Sequence, residues 1–316
     1  MNGRGKASVV VEEEKFSKFL YNKEKGTCVG RSAKSWSKIM GFYVLFYSCL
    51  AGFWIACLAV FLNTLDDRVP RYYGKRTIMG INPGLGYQPW LQDDPESTLI
   101  TWNKDDATTY ERYVNRINEY LSKYNNITYT RACTGTDSNS QIIDNHTGKV
   151  GDGKPVEACR FDLSIFEKAG CSKANDYGFK NGTPCVILSL NRMIGWKPDP
   201  YESNSVPDVI ADRYEKGFVT ILCEGTSAID KEWLGPVTYI PEAGIDGKYY
   251  PYAVMNNYHQ PIAMVKFEHL PHNKIVMVEC RAYARNIKHD LSAKLGLVNF
   301  ELLLEDKTEK TSTKKR

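Results

Sequence analysis

Six of the nine cysteines, Cys133, Cys159, Cys171, Cys185, Cys223 and Cys280, lie in the long polar stretch after residue 62. No C-x-x-C and no paired histidine module accompanies them, so their spacing does not fit a zinc framework. An even number beside glycosylation sequons reads as three disulfides formed in an oxidising compartment, set against six free thiols in a cytosolic domain. The sequons are Asn126-Ile-Thr128, Asn145-His-Thr147 and Asn181-Gly-Thr183, and all three follow residue 62. They make Asn126, Asn145 and Asn181 candidate N-glycosylation sites; Pro184 after the third lowers its expected use. Catalytic patterns are missing: there is no G-x-x-x-x-G-K-[ST], G-x-S-x-G or H-E-x-x-H. The histidines are scattered, and His269-Leu-Pro-His272 reads as a turn rather than a metal site. No catalytic residue, metal or cofactor is expected, only N-linked glycans.

The element that sorts these residues into compartments is residues 39–62, IMGFYVLFYSCLAGFWIACLAVFL, which carries no charge, proline, asparagine or glutamine. As a helix it would reach ~36 Å, enough to cross a hydrocarbon core of ~30 Å with some tilt. It is longer than a usual signal-peptide core and lacks an A-x-A end, so a signal anchor is expected. Before it, residues 1–38 are polar and carry the basic excess, which suits an anionic inner leaflet better than nucleic acid. Flanking basic residues do not set the orientation, because Arg68, Arg71, Lys75 and Arg76 balance Lys25, Arg31, Lys34 and Lys38. The sequons and cysteines do: they place the N-terminus in the cytoplasm and the C-terminus outside.

At 100° per residue Tyr43, Tyr47, Leu50 and Trp54 share one stripe of this helix. Gly41, Ser48, Gly52, Ala56 and Ala59 gather on the opposite side, and Ser48, Gly52 and Ala56 form a small-xxx-small pattern. A phenol inside the bilayer prefers a hydrogen-bond partner to bare lipid. Tyr43, Tyr47, Trp54, Gly41, Ser48, Gly52 and Ala56 are therefore candidate contacts with a partner's membrane helices. An interfacial aromatic belt with ordinary small residues is the plainer alternative.

Residues 63–104 read as an irregular stalk punctuated by Pro70, Pro83, Pro89 and Pro95. Residues 105–124 read as a helix capped by Asp105 or Asp106, with Tyr110, Tyr113, Ile117, Tyr120, Leu121 and Tyr124 on one face. A polar loop over 134–155 and a short helix after Asp162 follow. From 186 onward the texture is β: 186–190, 218–223, 236–240, 262–267, 275–284 and 297–304. Together they predict a β-sandwich with an α-helical insertion over 105–304, and a charged tail over 305–316. The strand order is not readable.

Several stretches carry a family resemblance. They are Phe19-Leu20-Tyr21-Asn22, Ser35-Trp36-Ser37-Lys38-Ile39, Phe42-Tyr43, Phe46-Tyr47 and Leu50-Ala51-Gly52. Beyond the apolar segment stand Pro184-Cys185, Leu190-Asn191-Arg192-Met193-Ile194-Gly195-Trp196-Lys197-Pro198 and Cys223-Glu224-Gly225. Tyr249-Tyr250-Pro251-Tyr252, Gln260-Pro261 and the run from Val278 to Ile287 complete the set. In this order around one span the chain resembles the β subunits of the sodium/potassium pump. The resemblance implies a single-pass type II glycoprotein of the plasma membrane with an immunoglobulin-like domain, and the pairing Cys133–Cys159, Cys171–Cys185 and Cys223–Cys280. It also implies a non-catalytic role in a 1:1 complex with the catalytic α subunit. That role is support for α folding and exit from the endoplasmic reticulum, then tuning of potassium affinity and occlusion. A small single-span regulatory subunit is a further partner in such complexes, lipid surrounds the span, and nucleic acid is not a partner. Asp306-Lys307-Thr308 imitates the start of the P-type ATPase phosphorylation motif, but Glu309 and Lys310 break it. Three sequons lean towards a sodium pump rather than its proton-pump relatives. The reading from another class is a type II cell-surface adhesion or carbohydrate-binding receptor, which the same anchor and sandwich would serve. Adhesion between cells is also compatible with the pump-subunit reading.

Overall fold

The computed structural model describes residues 21–23, 26–65, 72, 77, 82–134, 157–252 and 255–306. Asn145, most of the polar loop around it, most of the N-terminal tail and residues 307–316 lie outside them. The chain divides into two compact units, residues 1–66 and 67–316.

In the first unit three short strands, β1 (Tyr21–Asn22), β2 (Thr27–Cys28) and β3 (Arg31–Ser32), form an antiparallel sheet ahead of helix α1 (Ala33–Asn63). The helix begins before the apolar segment, taking in Lys34, Trp36 and Lys38. The Trp36 indole N–H donates to the Cys28 carbonyl at 2.8 Å and ties the first turn to the hairpin. At the other end the Thr64 hydroxyl donates to the Phe61 carbonyl at 2.6 Å, meeting one of the carbonyls a helix end leaves open. α1 is the one helix among the described residues long and apolar enough to cross a membrane, and none of it is buried.

In the second unit the strands are β4 (Leu85–Gln88), β5 (Leu99–Trp102), β6 (Thr130–Arg131), β7 (Ala158–Cys159), β8 (Cys185–Leu190), β9 (Phe218–Gly225), β10 (Val237–Ile240), β11 (Ile245–Asp246), β12 (Ala263–Phe267), β13 (Ile275–Tyr283) and β14 (Leu297–Leu304). The helices are α2 (Ala107–Ser122), α3 (Ser164–Lys168) and α4 (Ala228–Leu234). One sheet runs β10-β12-β8-β4 and the other β11-β9-β13-β14-β5, while β6 and β7 form a small parallel pair. All neighbours in the two main sheets are antiparallel except β14 and β5. The result is an immunoglobulin-like β-sandwich with a helical insertion, as expected.

Alternation explains the packing. Along β13 the side chains of Val276, Val278, Cys280 and Ala282 are buried, while Ile275, Met277 and Arg281, which alternate with them, are exposed. Phe300 of β14 sits between Tyr87 of β4 and Phe267 of β12, ring centroids 4.9 and 6.1 Å away, and joins the two sheets. β8 and β12 are buried along nearly their whole length, because the helical insertion covers the sheet's other face. Met264 of β12 there shares a cavity wall with Leu121, Phe166 and Tyr177.

The stalk expected over 63–104 is corrected at its C-terminal end: β4 and β5 lie within it and belong to the sandwich. Each is four residues long and bounded by proline or polar turns, too short to show a period. What makes them strands is distant pairing, with Leu85 opposite Leu190 and Ile100 opposite Leu302.

α2 forms where the aromatic spacing predicted it. Asp106 is its cap, accepting from the Thr108 N–H at 3.1 Å. Its buried face is Tyr110, Tyr113, Val114 and Ile117. Tyr110 and Tyr113 both stack on Phe179, at 6.2 and 5.8 Å. The Tyr113 hydroxyl accepts from the Thr101 N–H at 3.2 Å, so the insertion also caps the outer edge of β5.

Candidate functional site

Three groups of residues define what the molecule presents: the faces of α1, the disulfide framework with its converging motifs, and the sequon turns.

On α1 Tyr43 and Tyr47 stack at 6.0 Å, and Phe42 and Phe46 beside them at 6.2 Å. Gly41 and Gly52, on the opposite side of the helix, have nothing within 4 Å of where a Cβ would stand. The helix therefore carries an aromatic ridge on one side and, on the other, a stripe of small residues, the residue type that lets helix backbones approach closely.

The sandwich forms the three disulfides Cys133–Cys159, Cys171–Cys185 and Cys223–Cys280. Cys28, Cys49 and Cys57 are free thiols. Cys171–Cys185 ties the end of the helical insertion to the first residue of β8, with both cysteines buried. Cys133–Cys159 closes the chain around the β6–β7 pair. Cys223 and Cys280 face each other across β9 and β13, so this bond lies within one sheet rather than between the two. The Cys223 backbone turns away from β13: its N–H donates to the Tyr239 hydroxyl at 2.9 Å, and that hydroxyl donates to its carbonyl at 3.3 Å. Tyr239 comes from β10 of the other sheet, so its phenol links the two sheets through the Cys223 backbone. Arg213 lies 3.7 Å over the Tyr239 ring and fixes it.

The stretches that carried the resemblance converge in space. The Asn191 N–H donates to the Gly84 carbonyl at 2.9 Å. Gln260 donates to the Leu190 carbonyl at 2.5 Å and accepts from Arg192 at 3.2 Å. Trp196 and Tyr250 pack edge to face at 5.2 Å, and the Gly195 N–H reaches the Tyr252 carbonyl at 2.9 Å. Asn286 donates to the Lys197 carbonyl at 2.7 Å and accepts from the Asp199 N–H at 3.0 Å. These residues hold distant loops together; they do not form a catalytic constellation. Among the described residues no group of three or more His, Cys, Asp or Glu side chains could hold a metal. His272 of the expected turn pairs with Asp306, Nδ1 to Oδ1 at 2.5 Å.

Asn126 is exposed, and its side-chain oxygen accepts from the Thr128 N–H at 3.1 Å. Sequence reasoning missed the residue that holds this turn, the buried His259. Its Nδ1 receives the Phe161 N–H at 3.4 Å, so the ring's proton is on Nε2, which donates to the Asn126 carbonyl at 2.8 Å. Burial pulls the His259 pKa down, with the charges of Arg160 and Lys123 acting the same way against the raising effect of the Asn126 bond. Lys123, exposed but seated 3.4 Å over the Tyr120 ring, has its pKa lowered to about 8, first by desolvation of its ammonium and then by the charges of Arg192 and Arg116. Asn181 is exposed at the end of a 3-10 segment, where Gly182 turns the chain at a φ of 73°.

One helix long and apolar enough to cross a membrane, in a chain that also holds a three-disulfide β-sandwich, defines the architecture of a single-span membrane protein. Residues 6–300 match the family described as the sodium / potassium ATPase beta chain. The chain is 55% identical over 97% of its length to the probable sodium/potassium-transporting ATPase subunit beta-3 of Caenorhabditis briggsae, of which it covers 90%. It is 31% identical to subunit beta-1 of Drosophila melanogaster, with 93% of this chain and 94% of the relative aligned. It is 29% identical to the human subunit beta-2, with 89% of each aligned. The chain belongs to the sodium/potassium ATPase β-chain family.

Proposed function

We propose that this chain is the non-catalytic β subunit of a sodium/potassium-exchanging P-type ATPase. It binds the catalytic α subunit 1:1, supports its folding and exit from the endoplasmic reticulum, and stays bound at the plasma membrane to modulate potassium affinity and occlusion. Its N-terminus faces the cytoplasm, and its sandwich, glycosylated at Asn126, Asn145 and Asn181, faces outside. Beyond family membership, the observation that carries this reading is the two-faced helix. Tyr43, Tyr47 and Trp54 stand on one side, and Gly41, Ser48, Gly52 and Ala56 on the other. A lone anchor in lipid needs neither face, whereas a helix docked on a polytopic partner uses both. A small single-span regulatory subunit has room on whichever face the α subunit leaves. The sandwich biases the pump's conformations by contacting them unequally.

The test is rescue in cells depleted of this chain, read by surface biotinylation of the α subunit. The wild-type chain restores surface α. The Gly52→Leu/Ala56→Leu variant, which fills the stripe of small residues without touching the sandwich, restores it severalfold less. Surface α that is indifferent to depletion would contradict the proposal.

A further inference from the structure

Asn181 forms part of the wall of a groove of ≈ 490 Å³ between the 181–183 turn, the end of α4 and the 268–272 turn. The groove is lined by Lys104, Glu232, Trp233, Glu268, His269 and Leu304, among others. Trp233 is half-buried, and the Lys274 ammonium lies 4.5 Å from its ring centre and steadies the indole. Glu268 is held by Lys266 at 3.1 Å and by the Thr238 hydroxyl at 3.0 Å. The 181–183 turn is seated as well: a Cβ on Gly182 would stand 3.3 Å from Leu304 and 3.8 Å from Lys104, and the Thr183 N–H donates to the Gly178 carbonyl at 3.0 Å.

This is the chemistry a pyranose needs. A sugar ring has an apolar C–H face, which an indole covers, and a rim of hydroxyls, which carboxylates, imidazole and ammonium groups engage. A groove of this size falls within the range that holds small ligands. The ligand is supplied by the wall itself, since Asn181 is a sequon asparagine. A tethered group meets its site at an effective concentration of about millimolar, so contacts too weak to capture a free sugar suffice.

We propose that the core of an N-glycan on Asn181 folds back into this groove and packs on Trp233, making the groove a built-in saccharide cradle. The inference rests on the reading above that Asn181 is glycosylated.

The experiment uses the full chain, purified in mild detergent with whatever partner it retains and never denatured. Peptide N-glycosidase is added, and glycan loss is followed by mass spectrometry at Asn181 and Asn126 in parallel. The cradle predicts release at Asn181 at least about fivefold slower than at Asn126, because cleavage follows the undocked fraction. Trp233→Ala and, separately, His269→Ala should bring Asn181 up towards the Asn126 rate and leave Asn126 unchanged, which also checks that the variants fold. Equal rates in the wild type overturn the cradle and leave glycosylation standing. Slow release at Asn181 that neither variant relieves assigns protection to the turn and also overturns it. An Asn181 that bears no glycan overturns the cradle together with the reading it rests on.

Discussion

At Gly225 the absent side chain is the structural requirement. A Cβ there would overlap the peptide joining Asp230 to Lys231, because α4 packs directly against β9. That approach is locked by Asp230, whose carboxylate accepts from Thr226, from the N–H and hydroxyl of Ser227, and from the Met277 N–H. Burial opposes its ionisation, yet these donors outweigh it and hold its pKa below the usual carboxylate range. Gly225→Ala should therefore cost about 1–3 kcal/mol as overpacking, seen as a lower melting temperature with the Cys223–Cys280 bond intact. An unchanged melting temperature would refute the contact. His259 carries a second prediction, in pH. Its folded pKa lies below its unfolded value of ~6.5, so the unfolded chain binds more protons between the two. Its contribution is complete above ~6.5 and lost as pH falls through the folded value, because a proton on Nδ1 breaks the Phe161 bond. The melting temperature should fall from pH 7.5 to 5.5, and His259→Gln should flatten that fall. A variant as acid-sensitive as the wild type would remove His259 as the cause. The sequence had Gly225 as one letter of a motif and His259 as one scattered histidine. Their roles depend on Asp230, Phe161 and Asn126, which only the fold brings to them.

Elements whose own residues dictate their form were legible, and those made by distant pairing were not. α2 shows its period in Tyr110, Tyr113 and Ile117, and β8, β9, β12, β13 and β14 show β-branched or alternating runs. β4 and β5 do not, since LGYQ and LITW are strands only because β8 and β14 stand beside them. α4 was readable but unread: Ser227 and Asp230 form a capping box at its start. The three disulfides came through the family resemblance, whereas the placement of Cys223–Cys280 within one sheet, with Tyr239 linking the two sheets, needed the topology. The insertion's hold on β5 gives a prediction at this scale. Tyr113→Phe keeps the stack on Phe179 but leaves the Thr101 N–H without that acceptor, a loss of about 1–3 kcal/mol. Denaturant unfolding with an unchanged slope and a lower midpoint would show it; an unchanged midpoint would mean that water replaces the phenol.

For the whole molecule, the proposed role is association. α1 offers partners two unlike faces. The sandwich is stapled three times, and its family motifs, Leu190 to Pro198 with Tyr250, Gln260 and Asn286, hold its loops together. That role requires a catalytic partner. Mild-detergent affinity purification of the tagged full chain from native membranes, with mass spectrometry of what accompanies it, tests this most directly. The expected result is a P-type ATPase α subunit in near-equal amount. Recovery of the chain alone, glycosylated and at the cell surface, would contradict it and leave a free-standing surface receptor in its place.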